Sequence, residues 1–154
     1  MSKKITTSLW FDGNAEEAAN FYTSIFKDSK ITRISRYGDA GPGPKGSVMV
    51  VAFELNGQSF IGINGGPHFK FSPAISLMIN CDTQQELDHY WDSLLAGGAP
   101  SQCGWLTDKF GLSWQVVPSI MNELMSDADK ANRVMAAVMK MVKLDIAELQ
   151  RAAA

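Results

Sequence analysis

The chain has 154 residues, 45% of them hydrophobic, which is enough for a domain to bury a core of its own. Its 14 Lys and Arg against 16 Asp and Glu give a net charge of −2, and no stretch collects five or six like charges, so we expect neither nucleic acid nor an anionic membrane as a partner. Met1 to Lys4 leads straight into a strand-like segment without the apolar core of a signal peptide, and no apolar run approaches a membrane span, so we expect a soluble, cytoplasmic protein.

The first predicted elements are a short strand and an amphipathic helix. The strand-like run ITTSLWF covers residues 5–11 and ends before Gly13. Asn14 and Glu17 have the spacing of a capping box, in which the Asn side chain accepts an early helical N–H and the Glu reaches back to the cap. The apolar residues that follow have helical spacing and predict one buried stripe: Ala18, Phe21, Tyr22, Ile25 and Phe26.

A loop and a hairpin come next. Residues 37–46, YGDAGPGPKG, are too rich in Gly and Pro to form a regular element, so we predict a loop, with a mobile lid as its candidate role. Residues 48–55 and 59–63 are β-rich and are joined by Asn56-Gly57, the dipeptide favoured in type I′ turns. They predict an antiparallel hairpin.

A second strand and helix begin near residue 74. The run AISLMIN covers residues 74–80, and Thr83 with Glu86 again has capping-box spacing. Apolar residues recur behind this box at the offsets seen before: Leu87, Tyr90, Trp91, Leu94 and Leu95. A further β-rich run follows over residues 110–117.

The two strand-helix segments form an internal repeat. Residues 5–26 match residues 74–95 at a constant displacement of 69 positions, which pairs Thr7 with Ser76. Self-similarity of this kind predicts two copies of a βαβββ unit in a single α+β domain. The predicted boundaries are about 4–67 for module one, about 74–118 for module two and about 119–153 for C-terminal helices.

The sequence after residue 118 is Met-rich and helical. Helices are predicted over residues 119–125, 127–143 and 145–153. Five methionines give them an adaptable apolar surface: Met121, Met125, Met135, Met139 and Met141. We expect this surface to pack on the sheet or on a partner subunit, and the alternative is a methionine patch that faces a ligand.

The cysteines and histidines show no metal-binding spacing. Cys81 and Cys103 are the only two cysteines and lack a CxxC pattern, so both are predicted to be reduced thiols. His89 lies outside the apolar stripe of the second helix and is predicted to be exposed. His68 lies in the linker between the modules, where it is either a structural residue or a ligand contact.

Three separated motifs resemble those of a known family. They are WFDGNAEEAANFY at residues 10–22, CGWLTDKFGLSWQVVP at 103–118 and MKMVKLDIAEL at 139–149. In this order they resemble the PhnB-like branch of the vicinal oxygen chelate (VOC) superfamily, whose family name is 3-demethylubiquinone-9 3-methyltransferase. The resemblance implies a VOC fold, in which both modules form a curved eight-stranded mixed sheet with a ligand on its concave face. It also implies a homodimer.

The resemblance bears on metal binding as well. In metal-dependent relatives such as glyoxalase I and the extradiol dioxygenases, His or Glu side chains from both modules hold a divalent ion. The corresponding positions here are Thr7, about Gly62, Ser76 and Gln115. None supplies an imidazole or a carboxylate, so we expect no metal and no cofactor.

Strand alternation then predicts which side chains face the ligand. If Thr7, Ser76 and Gln115 face the ligand, every second residue before and after them in the same strands also faces it. Trp105 could close one side of the concave ligand site, and His68 lies in the linker that passes its rim. The predicted ligand-binding residues are Thr7, Leu9, Phe11, Gly62, His68, Ser76, Met78, Asn80, Trp105 and Gln115. Such an apolar surface with a few hydrogen-bonding groups is typical of a small-molecule site.

The function remains a choice between binding and catalysis. The first hypothesis is a protein that binds a small organic molecule without the usual divalent metal. The alternatives are a divergent glyoxalase- or dioxygenase-type metalloenzyme that recruits a loop carboxylate or His68, and a drug-sequestering protein like the bleomycin-resistance proteins. The family name implies methyl transfer, yet the sequence has no Gly-rich turn of the kind that binds S-adenosylmethionine.

Overall fold

The computed structural model of the protein describes residues 4–154, so Met1 to Lys3, the start of the N-terminal segment considered above, lie outside the described residues. The chain divides into two units, one that ends at Lys70 and one over Phe71–Ala154. Each unit has the predicted βαβββ order and its own four-stranded mixed sheet, so the eight strands form two sheets. Within residues 4–154, no helix is long and apolar enough to cross a membrane.

The first unit has four strands and one helix. Its elements are β1 Thr7–Phe11, α1 Ala15–Ile25, β2 Lys30–Arg36, β3 Val48–Leu55 and β4 Gln58–Asn64. The sheet order is β1-β4-β3-β2, with β1 parallel to β4 and the other pairs antiparallel. Helix α1 covers one face, where the ring of Tyr22 stacks on Phe53 at 6.3 Å between centroids and Phe53 stacks on Phe60 at 5.5 Å. This aromatic stack is the core of the first unit.

The hairpin between β3 and β4 confirms the predicted turn. Asn56 and Gly57 have φ angles of 49° and 80°, the left-handed values that a type I′ turn requires at both central residues. Strand β2, in contrast, is absent from the predicted elements. Its ladder with β3 has register shifts between Ile31 and Arg33 and again near its end, and such bulges disturb the alternation by which a strand is recognised in sequence.

The second unit has four strands and four helices. Its elements are β5 Ser76–Cys81, α2 Gln84–Leu95, β6 Ala99–Pro100, β7 Trp105–Thr107, β8 Ser113–Pro118, α3 Met121–Leu124, α4 Ala128–Val138 and α5 Ile146–Ala153. The sheet order is β5-β8-β7-β6, with β5 parallel to β8. Helix α2 packs against this sheet and buries Leu87, Trp91 and Leu94.

Helices α4 and α5 begin within one residue of their predicted starts, whereas α3 begins at Met121 rather than at residue 119. Asp127 and Asp145 cap α4 and α5 through their carboxylates. Helix α4 ends at Val138, so the prediction of a helix to residue 143 is wrong. The carbonyls of residues 141 and 142 instead accept the N–H groups of residues 103 and 104 at 2.9 and 2.8 Å, a long-range contact that helical periodicity does not reveal.

The two long helices of the repeat begin in different ways. Thr83 Oγ1 accepts the N–H of Glu86 at 3.1 Å, as the capping box predicts. Asn14, the predicted cap of α1, makes no side-chain cap hydrogen bond. The N–H of Ala15 instead donates to Asn64 Oδ1 at 2.9 Å, so a side chain from the end of β4 caps α1.

Candidate functional site

The residues predicted to face a ligand in the first unit lie on the face that α1 covers. Leu9 and Phe11 are 6% and 3% exposed, and a Cβ at Gly62 would lie 3.3 Å from the Phe11 ring and 3.2 Å from the first residue of α1. Thr7 pairs with Phe60 of the aromatic stack and therefore shares that face. The predicted alternation is wrong by one position in β1 and β4, and these residues belong to the core side of the sheet.

The opposite face of this sheet carries Trp10. Its indole Nε1 donates to the carbonyl of Gly66 at 2.9 Å, and its ring meets Phe69 edge-on at 4.9 Å between centroids. Gly65 lies against the indole so closely that a Cβ there would be 2.2 Å from the ring. The linker after β4 is thus held against Trp10. His68 is exposed in that linker, and its ligand contact stays a prediction.

The Gly/Pro-rich segment is a loop, as predicted, and it is wrapped around one aromatic ring. A Cβ at Gly41 or Gly43 would lie 2.4 or 2.3 Å from the ring of Tyr37, which is 7% exposed. The Tyr37 hydroxyl donates to the carbonyl of Asn64 at 2.5 Å. Between this loop and the start of α1 lies a cavity of about 440 Å³ that includes Asp12. The lid role of the loop stays a prediction.

In the second unit, four of the predicted residues line one cavity. Its volume is about 380 Å³, and the sheet contributes Met78, Asn80, Trp105, Gln115 and Val117. The intervening residues Trp114 and Val116 are 2% and 0% exposed, on the face against which α2 packs. The predicted alternation is therefore correct in β5 and β8, and this cavity is the candidate functional site.

The C-terminal helices form the other wall of this cavity. They and the segments that flank them contribute Ser119, Met121, Asn122, Met125, Met135, Val138, Met139 and Leu144. Met78 and Met139 are 54% and 63% exposed, so the cavity opens to solvent. The sequence offered a ligand-facing methionine patch only as the alternative to packing on the sheet or a partner, and it named no residue of this wall as ligand-binding.

Gln115 on the cavity floor bonds to a further predicted residue, Ser76, which does not itself line the cavity. Gln115 Nε2 donates to Ser76 Oγ at 2.9 Å, across the parallel pair β5–β8. Ser76 pairs with Ser113 and Met78 with Gln115 in that ladder. The hydrogen bond fixes the plane of the Gln115 amide at the cavity surface.

The strands that begin the two units show opposite faces at the displacement of 69. Leu9 pairs with Gly62 on the side of its sheet that α1 covers, whereas Met78 pairs with Gln115 on the side away from α2. The helices keep the displacement of 69, but the connection from strand to helix has three residues in the first unit, 12–14, and two in the second, 82–83. Since a slip of one residue reverses the faces of a strand, the predicted pairing of position 7 with Ser76 is wrong.

The positions expected to hold a metal in VOC enzymes do not fit a divalent ion. In the first unit, Thr7 and Gly62 belong to the helix-covered face. In the second unit, Ser76 and Gln115 are neutral groups that bond to each other. Among residues 4–154, no three His, Cys, Asp or Glu side chains are placed to hold an ion together. Neutral hydroxyl and amide groups lack the charge and donor strength that such an ion needs.

Both cysteines are free thiols, as predicted, with different surroundings. Burial, reinforced by the negative charges of Glu86 and Asp82, raises the pKa of the Cys81 thiol to about 12. Cys103 is half-exposed, lines the cavity and has a left-handed φ of 62°. Its Sγ lies 3.8 Å from the Sδ of Met139. His89 is exposed on α2, as expected.

Comparison with protein families gives one match over most of the chain. A family described as 3-demethylubiquinone-9 3-methyltransferase matches residues 3–117. A solved structure described as a putative 3-demethylubiquinone-9 3-methyltransferase, PhnB protein, from Bacillus cereus is 44% identical, with a TM-score of 0.68, over 75% of this chain and 99% of that one. The family match ends before α3, so the helical wall of the cavity lies beyond it. No curated protein matches the chain.

More distant solved structures show the fold alone. The fosfomycin resistance protein FosX from Listeria monocytogenes, complexed with Mn(II) and sulfate, is 14% identical with a TM-score of 0.52, over 74% of this chain and 89% of that one. A glyoxylase/bleomycin resistance protein/dioxygenase domain from Frankia is 19% identical with a TM-score of 0.50, over 74% and 94%. These likenesses confirm the predicted α+β VOC fold.

Proposed function

The chain belongs to the PhnB-like 3-demethylubiquinone-9 3-methyltransferase family of the VOC superfamily, and we propose that it binds a small, largely apolar organic molecule in the cavity of its second unit. The observation that carries the proposal is the cavity itself, about 380 Å³ between the sheet and the methionine-rich helices. Small-molecule sites in proteins are typically clefts of about 300–1,000 Å³ with mostly apolar walls and a few polar groups.

The proposed binding uses no divalent metal. The polar groups on the cavity floor are the amides of Asn80 and Gln115. Amides suit hydrogen bonding to an organic molecule, whereas a divalent ion needs carboxylate, imidazole or thiolate donors. The chemistry of the donors therefore supports an organic ligand held by hydrogen bonds and apolar contacts.

Methyl transfer, which the family name implies, is not part of the proposal. The connection from β1 to α1 contains one glycine, Gly13, and the first helical N–H is already bonded to Asn64. Both sheets are mixed, whereas S-adenosylmethionine usually binds a doubly wound parallel sheet with a Gly-rich first turn. The residues that line the cavity in the described chain include no carboxylate, imidazole or amine, and Cys103 is the one thiol among them.

The test uses 1-naphthol as a probe and a matched pair of cavity variants. Val117 lies on the cavity floor, so Val117→Phe should fill the space and weaken 1-naphthol binding at least about tenfold. Val142→Phe makes the same change at a residue that is 41% exposed and outside the cavity lining, so it should bind like the parent protein. Amide NMR titration measures the dissociation constants and shows whether both variants fold.

The location of the shifts decides the outcome. We expect 1-naphthol to shift amide signals of the cavity floor and of α3 and α4. No saturable shift in the parent protein, or equal binding by Val117→Phe and Val142→Phe, would overturn the proposal. Tight binding that requires added Mn²⁺ or Zn²⁺ would overturn its metal-independent part.

A further inference from the structure

We infer that the cavity selects an uncharged molecule whose apolar body carries one hydrogen-bond donor, a hydroxyl or N–H group, which Gln115 receives. This inference rests on the proposed binding function and names the ligand class that the same site takes. It follows from the absence of charge in the cavity lining and from the orientation of one amide.

The cavity lining disfavours a charged ligand. Of the residues that line it in the described chain, none is Asp, Glu, Lys, Arg or His. An ion moved from water into apolar surroundings loses its hydration, and only an opposite charge or several hydrogen bonds could compensate. A carboxylate or an ammonium group would find no opposite charge in this lining, so a neutral molecule is favoured.

The orientation of Gln115 specifies the polar group of the ligand. Its Nε2 donates to Ser76 Oγ at 2.9 Å, and within residues 4–154 no donor bonds to its Oε1. That oxygen is not buried, because no buried side-chain oxygen or nitrogen in the described residues lacks a partner. Gln115 lines the cavity and is half-buried, so its Oε1 is an acceptor directed by Ser76. An acceptor in such surroundings rejects a ligand that cannot donate to it.

The methionines of the C-terminal helices restrict the shape of the apolar part of the ligand less than Gln115 restricts its polar group. Met121, Met125, Met135 and Met139 meet the sheet side of the cavity across the space where the body would lie. Methionine is unbranched and polarisable, and it adjusts its rotamers to apolar groups of different shape. Selectivity therefore comes from charge and from the hydrogen bond at Gln115 rather than from a tightly shaped pocket.

Three probes of one size separate these requirements: 1-naphthol, 1-methoxynaphthalene and 1-naphthoate. The first donates a hydrogen bond, the second has the same oxygen without the proton, and the third carries a charge. We expect 1-naphthol to bind about 5- to 15-fold more tightly than 1-methoxynaphthalene, as one hydrogen bond allows. We expect 1-naphthoate to bind at least about tenfold more weakly than 1-naphthol.

Variants then assign the preference to the amide. Gln115→Met keeps the length of the side chain but removes the acceptor, so the preference for 1-naphthol over 1-methoxynaphthalene should fall to about one. Gln85→Met makes the same change on the exposed side of α2 and should keep the preference. If Gln115→Met does not fold, Ser76→Ala leaves the amide in place without its orienting partner and should reduce the preference in the same direction.

The possible results separate the two proposals. If none of the three probes binds the parent protein, the proposed function fails. If 1-naphthol binds but 1-methoxynaphthalene binds as tightly, or 1-naphthoate binds more tightly, binding stands and the inference about ligand class is overturned. A preference that survives unchanged in both Gln115→Met and Ser76→Ala also overturns it.

Discussion

The N–H of Ala15 donates to the side-chain oxygen of Asn64, a residue 49 positions later in the chain. The other atom of that amide, Nδ2, donates to the carbonyl of Val48 at 3.0 Å, and the Asn64 carbonyl accepts the hydroxyl of Tyr37. One asparagine therefore joins the start of α1, the start of β3 and the Gly/Pro-rich loop. The side chain of the sequence-adjacent Asn14 makes no cap hydrogen bond, and only its carbonyl accepts a helical N–H, that of Ala18.

Asn64→Ala should lower the free energy of unfolding by about 1–2 kcal/mol, the usual cost of losing a helix cap and its hydrogen bond. Asn14→Ala removes the same kind of side chain beside the same helix and should change stability by less than about 0.5 kcal/mol. Urea unfolding followed by circular dichroism measures both. A larger cost for Asn14→Ala would mean that the local cap is the one that forms.

Alanine variants of Leu9 and Met78 test whether β1 and β5 present opposite faces at the displacement of 69. The two residues are equivalent at that displacement, yet Leu9 is 6% exposed and Met78 is 54% exposed. Leu9→Ala should cost about 2–4 kcal/mol because it leaves a cavity in a packed core. Met78→Ala should cost less than about 1 kcal/mol because its side chain is half in solvent. Equal costs in urea unfolding would contradict the assignment of faces.

Asp108 is 3% exposed and organises the turn before β8. One carboxylate oxygen accepts the N–H groups of Phe110 and Leu112, and the other accepts the indole N–H of Trp114 at 2.8 Å. Asp108→Ala leaves buried donors without a partner and should cost roughly 3 kcal/mol or more in thermal or urea unfolding. The exposed Asp92 provides the control, since Asp92→Ala should be nearly neutral. Similar stability of the two variants would show that the turn forms without the carboxylate.

The two thiols should react differently with iodoacetamide. At pH 8 we expect mass spectrometry to find Cys103 modified and Cys81 intact, because Cys81 is 0% exposed and its pKa is about 12. Cys81 should react only after unfolding in urea. Modification of Cys81 in the folded protein at a rate like that of Cys103 would contradict its burial.

The raised pKa of Cys81 also predicts a pH dependence of stability. A thiol whose pKa is higher in the folded protein stabilises that state in its neutral form. Its contribution is complete below the pKa of the unfolded thiol, about 8.5, and is lost as the pH rises toward the folded value of about 12. The stability difference between the parent protein and Cys81→Ala should therefore shrink between pH 8 and pH 10.5 in urea unfolding. A constant difference would mean that the thiol titrates normally.

The candidate site shows where sequence reasoning stops. Met78, Asn80 and Gln115 were predictable because side chains alternate between the two faces of a strand. Once one residue is assigned to the correct face, the faces of all the others follow. The same rule placed Leu9 and Phe11 on the wrong face of β1. The prediction assumed one constant displacement between the two repeats, but the connection between strand and helix differs in length between them. The methionine wall was recognised as apolar surface, but periodicity alone does not say which surface it meets.

The sequence by itself determined the features that depend on neighbouring residues: the repeat, the Thr83 cap, the type I′ turn at Asn56-Gly57 and the starts of α4 and α5. The interactions that cause these features act between residues a few positions apart, so a short sequence motif is enough to predict them. Only the tertiary structure decided the Asn64 cap, the end of α4 and the cavity. Each of these requires groups far apart in sequence to meet, and the free energy that brings them together belongs to the packed fold rather than to any one segment.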